Sequence, residues 1–170
     1  LFADHFDSLG LENAIVLSPD AGNLKKAEKY RRGFSGEVGL AFVDKSRDPE
    51  TGDVVARRMA GDSVEGKTII MLDDIISTAG TMREAIDLAL EHGAKEFYLA
   101  CTHGEFVGKA VERLRHPAIK EIVITDTIPV LSRMRNDLPL KVLPISNLFG
   151  EAIRRIHDCE SISKLLGIYG

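Results

Sequence analysis

The chain has 170 residues, 44% hydrophobic and 28% charged, with a formal net charge of -4. That length is one ordinary domain, able to bury about two thirds of its unfolded surface without disulfide staples, and the composition is globular rather than disordered. The acidic balance argues against a general nucleic-acid binder and no apolar run reaches the ~18 residues of a membrane helix, so the expected partners are small molecules, with neither nucleic acid nor membrane. Cys101 and Cys159 lack metal-type spacing and read as reduced thiols of a soluble, cytoplasmic protein. No signal peptide is visible, and the start FADHFDSLG after Leu1, without a methionine, reads as a segment of something longer.

Ala14–Leu17 (AIVL) is a short apolar run stopped by Ser18, Pro19, Asp20, Ala21 and Gly22, the pattern of a strand entering a loop. A helix is expected next, with Asn23 as N-cap, Leu24, Ala27 and Tyr30 at helical spacing, and Lys25, Lys26, Lys29, Arg31 and Arg32 on the outer face. Val38–Val43 (VGLAFV) reads as a second buried strand, and Asp44–Asp53 (DKSRDPETGD) as an exposed, mobile polar loop. Asp53–Met59 and Thr68–Leu72 are expected strands joined by a turn around Gly61–Gly66. From Thr81 to His92 the apolar residues Met82, Ala85, Ile86, Ala89 and Leu90 recur on one helical face, and Gly93 stands where a helix stops. Glu96–Ala100, Val107–Leu114 and Glu121–Thr125 continue as strand, helix, strand, and Lys141–Leu143 with Asn147–Ile156 add one more strand and helix. The alternation predicts an α/β fold: a doubly wound, mostly parallel sheet flanked by helices, in a single domain.

In such sheets ligands bind beyond the carboxyl ends of the strands, where loops converge and helix N-termini expose N–H groups. The rule selects Ser18–Asn23, Lys45–Gly52, Asp73–Thr81, Thr102–Phe106 and Asp126–Pro129. Within Asp73–Thr81, the small residues Ser77, Thr78, Ala79, Gly80 and Thr81 allow the backbone to wrap a phosphate, and three hydroxyls add donors. Asp73 and Asp74 offer carboxylates to sugar hydroxyls or to a hydrated Mg²⁺. The same residues also describe an ordinary helix start, and residue types alone do not separate the two readings. His103, beside Gly104, is a further candidate for the site; His5, His92, His116 and His157 read as surface or capping residues.

One rival motif is complete: Gly61-Asp62-Ser63-Val64-Glu65-Gly66-Lys67-Thr68 fits the G-x-x-x-x-G-K-[ST] pattern of a P-loop. A P-loop requires a helix to begin at its Lys-Thr end. Here the β-branched run TIIML follows instead, and Asp62 and Glu65 would repel phosphate, so a plain turn between strands is expected.

Asp73–Thr81 (DDIISTAGT) resembles the phosphoribosyl-binding signature of the type I phosphoribosyltransferase fold. SPDAGNLKKA (Ser18–Ala27), the Lys-x-Arg of Lys45 and Arg47, CTHG (Cys101–Gly104), VITDTIP (Val123–Pro129) and EAIRRIH (Glu151–His157) resemble, in order, the C-terminal half of the ribose-phosphate diphosphokinases. These enzymes make phosphoribosyl diphosphate from ATP and ribose 5-phosphate. The resemblance implies that Ser77, Thr78, Ala79, Gly80 and Thr81 hold the 5-phosphate, while Asp73 and Asp74 bind ribose hydroxyls and Mg²⁺. It implies that Asp20, Ala21, Gly22 and Asn23 shape the diphosphate side, with Asp20 near metal or ribose. Lys45 and Arg47, which otherwise read as a solvated loop, would lie on a flexible catalytic loop closing over ATP.

The resemblance further implies an absent N-terminal domain with most ATP contacts, and homo-oligomers. Three departures stand out: Ser77 where many members are acidic, Ser46 and Asp48 in a loop often more basic, and Asn23 in place of a common glycine. They leave ribose-phosphate binding expected, with the isolated segment inactive or weak. Two further readings stay open. One is a stand-alone phosphoribosyltransferase, against which the 6% aromatic content argues; the other is a non-catalytic regulatory relative that binds sugar phosphate or nucleotide.

Overall fold

The computed structural model describes residues 1–47, 54–130, 132–163 and 165. In chain order the elements are α1 (Phe2–Ser8), β1 (Ala14–Ser18), a 3-10 turn (Ala21–Asn23), α2 (Leu24–Arg31), β2 (Gly39–Arg47), β3 (Val54–Gly61) and β4 (Thr68–Ile76). There follow α3 (Gly80–Glu91), β5 (Glu96–Gly104), α4 (Ala110–Leu114), β6 (Ile119–Thr125), α5 (Ser132–Asp137), β7 (Leu140–Leu143) and α6 (Ser146–His157). The strands form one seven-stranded sheet in the order β3-β2-β1-β4-β5-β6-β7. Every neighbouring pair is parallel except the β2–β3 hairpin.

The central strands are apolar where both faces are covered, over Ala14–Leu17 of β1 and Ile69–Leu72 of β4. Side chains alternate across a strand, so Ile15, Leu17, Ile69 and Met71 enter one core with Met82, Ala85, Ile86 and Ala89 of α3. Ala14, Val16, Ile70 and Leu72 enter the other, closed by Phe6 of α1 and Ala27 of α2. Each fully buried aliphatic side chain contributes about 1.5–3 kcal/mol, so these two layers fix the sheet. The chain leaves β1 for β2 on one side and reaches β4 on the other. The crevice between β1 and β4 is therefore the topological switch point at which doubly wound sheets bind ligands.

Several sequence expectations are revised. Positions 44–47 are not loop but strand, with Asp44, Lys45 and Ser46 opposite Arg58, Arg57 and Ala56 of β3; antiparallel pairing with a partner strand makes β-structure of a polar stretch. Residues 48–53 of the expected loop lie outside the described residues. β4 runs past the acidic pair to Ile76 and β5 runs to Gly104, because Asp73, Ile75 and Ile76 pair with Cys101, His103 and Gly104. The helix expected from Val107 begins only at Ala110, after Phe106 (φ 47°) and Gly108 (φ 58°) turn the backbone away from helical geometry. Helix α5 had no periodic signal. His5 is no surface residue: it is 12% exposed, with Nε2 2.7 Å from a Glu121 carboxylate oxygen.

The P-loop look-alike is a strand-to-strand turn. Lys67 leads into β4 rather than a helix, and Gly61 (φ 96°) packs so close to β2 that a Cβ there would lie 2.4 Å from the Leu40 carbonyl oxygen. Asp62 closes the turn by accepting the Leu40 N–H at 2.8 Å. Among the described residues no helix is long and apolar enough to cross a membrane.

Candidate functional site

The end of β4 makes a cup. After Ile76 the chain turns through Ser77, Thr78 and Ala79 into α3, and these residues with Asp73, Gly80 and Thr81 line a cavity of about 180 Å³. That is below the ~300–1,000 Å³ of sites that enclose a whole small ligand, and suits one group of it. Ala79 is the helix N-cap, buried and left-handed (φ 57°, ψ 19°), with no side-chain cap and no acidic residue in the first turn. The first N–H groups of a helix have no intrahelical acceptor, and Gly80, Thr81 and Met82, which carry those of α3, line the cup, where a helix start favours negative charge.

The loop's carbonyls are turned away and held. Ile76 O accepts from Glu105 N and Phe106 N at 3.0 and 3.1 Å, and Ser77 O from Val107 N at 3.0 Å. Arg113 of α4 donates to Thr78 O at 2.8 Å, while Arg83 of α3 donates to the Arg113 carbonyl at 3.1 Å. The cup is therefore rigidly backed by the segment after β5. Arg113 carried no sequence signal; only the fold brings it to the loop.

The acidic pair precedes the cup on the same strand. Asp74 accepts from Lys26 Nζ at 2.7 Å and from the Tyr30 hydroxyl at 3.2 Å, so Lys26 is not on a merely solvated face as the sequence implied. Its ammonium also lies 3.5 Å from Asp73 Oδ1, which accepts the Asp74 N–H at 2.8 Å. The Lys26 hydrogen bond holds the Asp74 carboxyl below its ordinary range, and Asp74 in turn raises the Lys26 ammonium. Burial first, then the nearby acidic pair, pushes the Tyr30 phenol strongly upward, so it stays a donor. His103 is brought alongside by its register with Ile75. Its Nδ1 lies 2.9 Å from Thr127 Oγ1, and its field contributes to lowering Asp74.

On the neighbouring loop after β1, Asp20 Oδ1 accepts the Asn23 N–H at 2.8 Å, capping the 3-10 turn of Ala21, Gly22 and Asn23. Ser18 Oγ ties the loop back through Asp20 O at 2.7 Å. Asn23 occupies the N-cap position of α2 but makes no side-chain cap; Asp20 performs the capping one turn earlier. The backbones of Lys45 and Arg47 lie on β2 beyond the last β1 pairing at Phe42. From Phe42 to Arg47 that is roughly 17 Å of strand projecting past the rim at ~3.3–3.4 Å per residue; their side chains lie outside the described residues.

The donors near the cup suit a hard, partly hydrated divalent cation, which is commonly held through one or two carboxylates and substrate oxygens. Asp73 keeps Oδ2 uncommitted among the described contacts. Among the described residues no group of three or more His, Cys, Asp or Glu side chains gathers into a metal cage. Cys101, buried beneath the site, has its thiol pushed up to about 12 by burial and is inert there; Cys159 is exposed and also free.

Comparison with known proteins shows what the chain is similar to. Residues 55–167 match the family described as the phosphoribosyl synthetase-associated domain. Ribose-phosphate pyrophosphokinases of Caldanaerobacter subterraneus and Rhodopirellula baltica are 42% and 44% identical over 91% and 95% of this chain. The phosphoribosylpyrophosphate synthetase of Mycobacterium smegmatis superposes with a TM-score of 0.76 at 34% identity, covering 92% of this chain and 48% of that one. The chain spans about half the length of the curated relatives it matches, 47% and 51% for the first two. With the family model matched over residues 55–167, the chain belongs to the phosphoribosyl synthetase-associated domain family.

Proposed function

We propose that the chain is the ribose 5-phosphate-binding, C-terminal half of a ribose-phosphate diphosphokinase. In this reading residues 1–170 are a single phosphoribosyltransferase-like domain, completed by a second half that holds most of ATP. The observation that carries it is the uncapped start of α3 at Ala79, set directly after Asp73 and Asp74. A dianionic phosphate in the cup would take up N–H groups that otherwise lack acceptors, while the hydroxyls of Ser77, Thr78 and Thr81 satisfy its remaining oxygens. Asp73 then stands where it can accept from ribose hydroxyls.

The reaction joins the 1-hydroxyl oxygen of ribose 5-phosphate to the β-phosphorus of ATP, breaks the bond from that phosphorus to the bridging α,β-oxygen, and releases AMP and the hydroxyl proton. Such transfer depends mostly on positioning and on charge stabilisation. The phosphate cup fixes one end of the sugar, and Asp73 the hydroxyl side. Lys45 and Arg47, on the β2–β3 arm, supply cations for the moving diphosphoryl group, and the loop of Asp20, Ala21, Gly22 and Asn23 shapes its path. Asp73, with Asp74 and Asp20 as further carboxylates, would hold a Mg²⁺ ion, which when bound would supply charge neutralisation to the diphosphoryl group. Homo-oligomeric assembly and a cytoplasmic location complete the reading.

Titration calorimetry tests it. Ribose 5-phosphate is expected to bind the 170-residue chain saturably in the presence of Mg²⁺, with little or no ATP turnover by the chain alone. Absence of ribose 5-phosphate binding would sink the proposal.

A further inference from the structure

The acidic pair already has a cation. Lys26 and Tyr30 stand four residues apart on α2, hence on one helical face, and together they engage both oxygens of Asp74, Oδ2 at 2.7 Å and Oδ1 at 3.2 Å. The third donor, the Asp74 N–H, occupies Asp73 Oδ1, toward which the same ammonium also leans at 3.5 Å. Of the four carboxylate oxygens, Asp73 Oδ2 is without a partner among the described contacts. Lys26 is one-third exposed while Asp74 is 61% exposed, so the tie holds at the site's open side rather than in the core.

We propose that Lys26 is the resident counterion of the acidic pair, a positioning residue that ties Asp74 to α2, presents Asp73 to the ligand and keeps the substrate-free site a weak binder of divalent cations. Two carboxylates alone would present a charge near -2 to a divalent ion. With the ammonium seated the charge is nearer -1, and an ion arriving at Asp73 meets a like charge close by. Solvent screens part of this because the groups are partly exposed, so the expected effect is about tenfold in affinity, ~1.4 kcal/mol. The cation is thereby favoured when an anionic ligand arrives with it, and disfavoured on the empty protein.

This inference rests on the reading of the site given above, and the experiment separates the two. Mn²⁺ binding to the substrate-free chain, followed by electron paramagnetic resonance, is expected to be about tenfold tighter in Lys26→Met than in the parent. Lys26→Arg restores the weak binding of the parent, and Tyr30→Phe, which removes a donor but no charge, stays within about twofold of it. Adding Asp73→Asn to Lys26→Met is expected to abolish the gain, which assigns it to this site. An unchanged or weaker Mn²⁺ affinity in Lys26→Met overturns the assignment of Lys26, whatever ribose 5-phosphate does. A Mn²⁺ gain in Lys26→Met, reversed by Asp73→Asn, with no ribose 5-phosphate binding by the parent in Mg²⁺, upholds the counterion and overturns the sugar-phosphate reading instead.

Discussion

Two loops leave neighbouring strands at the same end of the sheet, and each leads into a helix, yet they treat their free N–H groups differently. After β1, Asp20 folds its carboxylate back onto Asn23 N at 2.8 Å, so the turn caps itself and places a negative charge there. After β4, the N-cap is Ala79, whose methyl group cannot accept a hydrogen bond, and α3 starts without a side-chain cap. A self-capped turn gains stability from its own side chain, typically ~1 kcal/mol. An uncapped one forgoes that and gains a place for an anion. The acid of the first loop suits cations or hydroxyls, and the helix start after the second suits an anion; the proposed ligand, anionic at one end and cation-associated at the other, would use both.

The strongest way to break this contrast is at Ala79. A left-handed backbone is costly for a β-branched side chain, roughly 1–3 kcal/mol, and Ala79 is buried. Ala79→Val is therefore expected to lower the melting temperature by several degrees, at about 2–4 °C per kcal/mol for a chain of this size, and to weaken ribose 5-phosphate at least about tenfold by closing the cup. Ala79→Gly accepts the same dihedrals and should leave both properties near the parent values. Thermal denaturation and calorimetry on the two variants check the pair; equal behaviour of Val and Gly would remove the special status of the position.

Asp20 sharpens the other side. Asp20→Ala is expected to cost about 1 kcal/mol in denaturant unfolding through the lost cap, whereas Asp20→Asn keeps a capping oxygen and the stability. Both should weaken Mg²⁺-dependent binding of inorganic diphosphate if the carboxylate serves a cation. A wholly silent Asn variant would reduce Asp20 to a cap. Smaller still is Arg113→Met, which removes the 2.8 Å bond to Thr78 O. The loss is below about 1 kcal/mol because the bond is exposed, read as roughly twofold to threefold weaker ribose 5-phosphate binding with the fold intact.

Much of this was legible before any coordinates. Apolar runs such as AIVL and TIIML could only be strands covered on both faces, and their alternation with helical periods gave the parallel sheet and the loops that matter. The small residues of Ser77–Thr81 line the cavity at the end of β4, although residue types alone do not separate a phosphate cup from an ordinary helix start. What escaped was every role set by a distant neighbour. The sequence places Lys26 on the outer face, where lysines usually stand, although its spacing of four puts it beside Tyr30; only β4 supplies the carboxylates that they meet. His5 meets Glu121 across more than a hundred residues of chain. The polar stretch 44–47 became strand because a hairpin partner pairs its backbone, which no periodicity of its own records.

Ser77 bears on the contrast most delicately, because it stands where the acidic strand end passes into the anion cup. Its carbonyl is anchored by Val107 N at 3.0 Å and its side chain is half-buried against the cavity, so a substitution changes the lining without moving the backbone. Ser77→Asp places a third carboxylate between the two regions. Without Mg²⁺ it should repel the incoming phosphate and weaken ribose 5-phosphate about threefold; with Mg²⁺ it adds an oxygen for the cation or a sugar hydroxyl and should tighten binding by a similar factor. The two effects have opposite sign because they act on opposite ends of the ligand. Calorimetry with and without the metal reads the crossing directly, and an affinity that shifts the same way in both conditions would show that position 77 belongs wholly to the phosphate side.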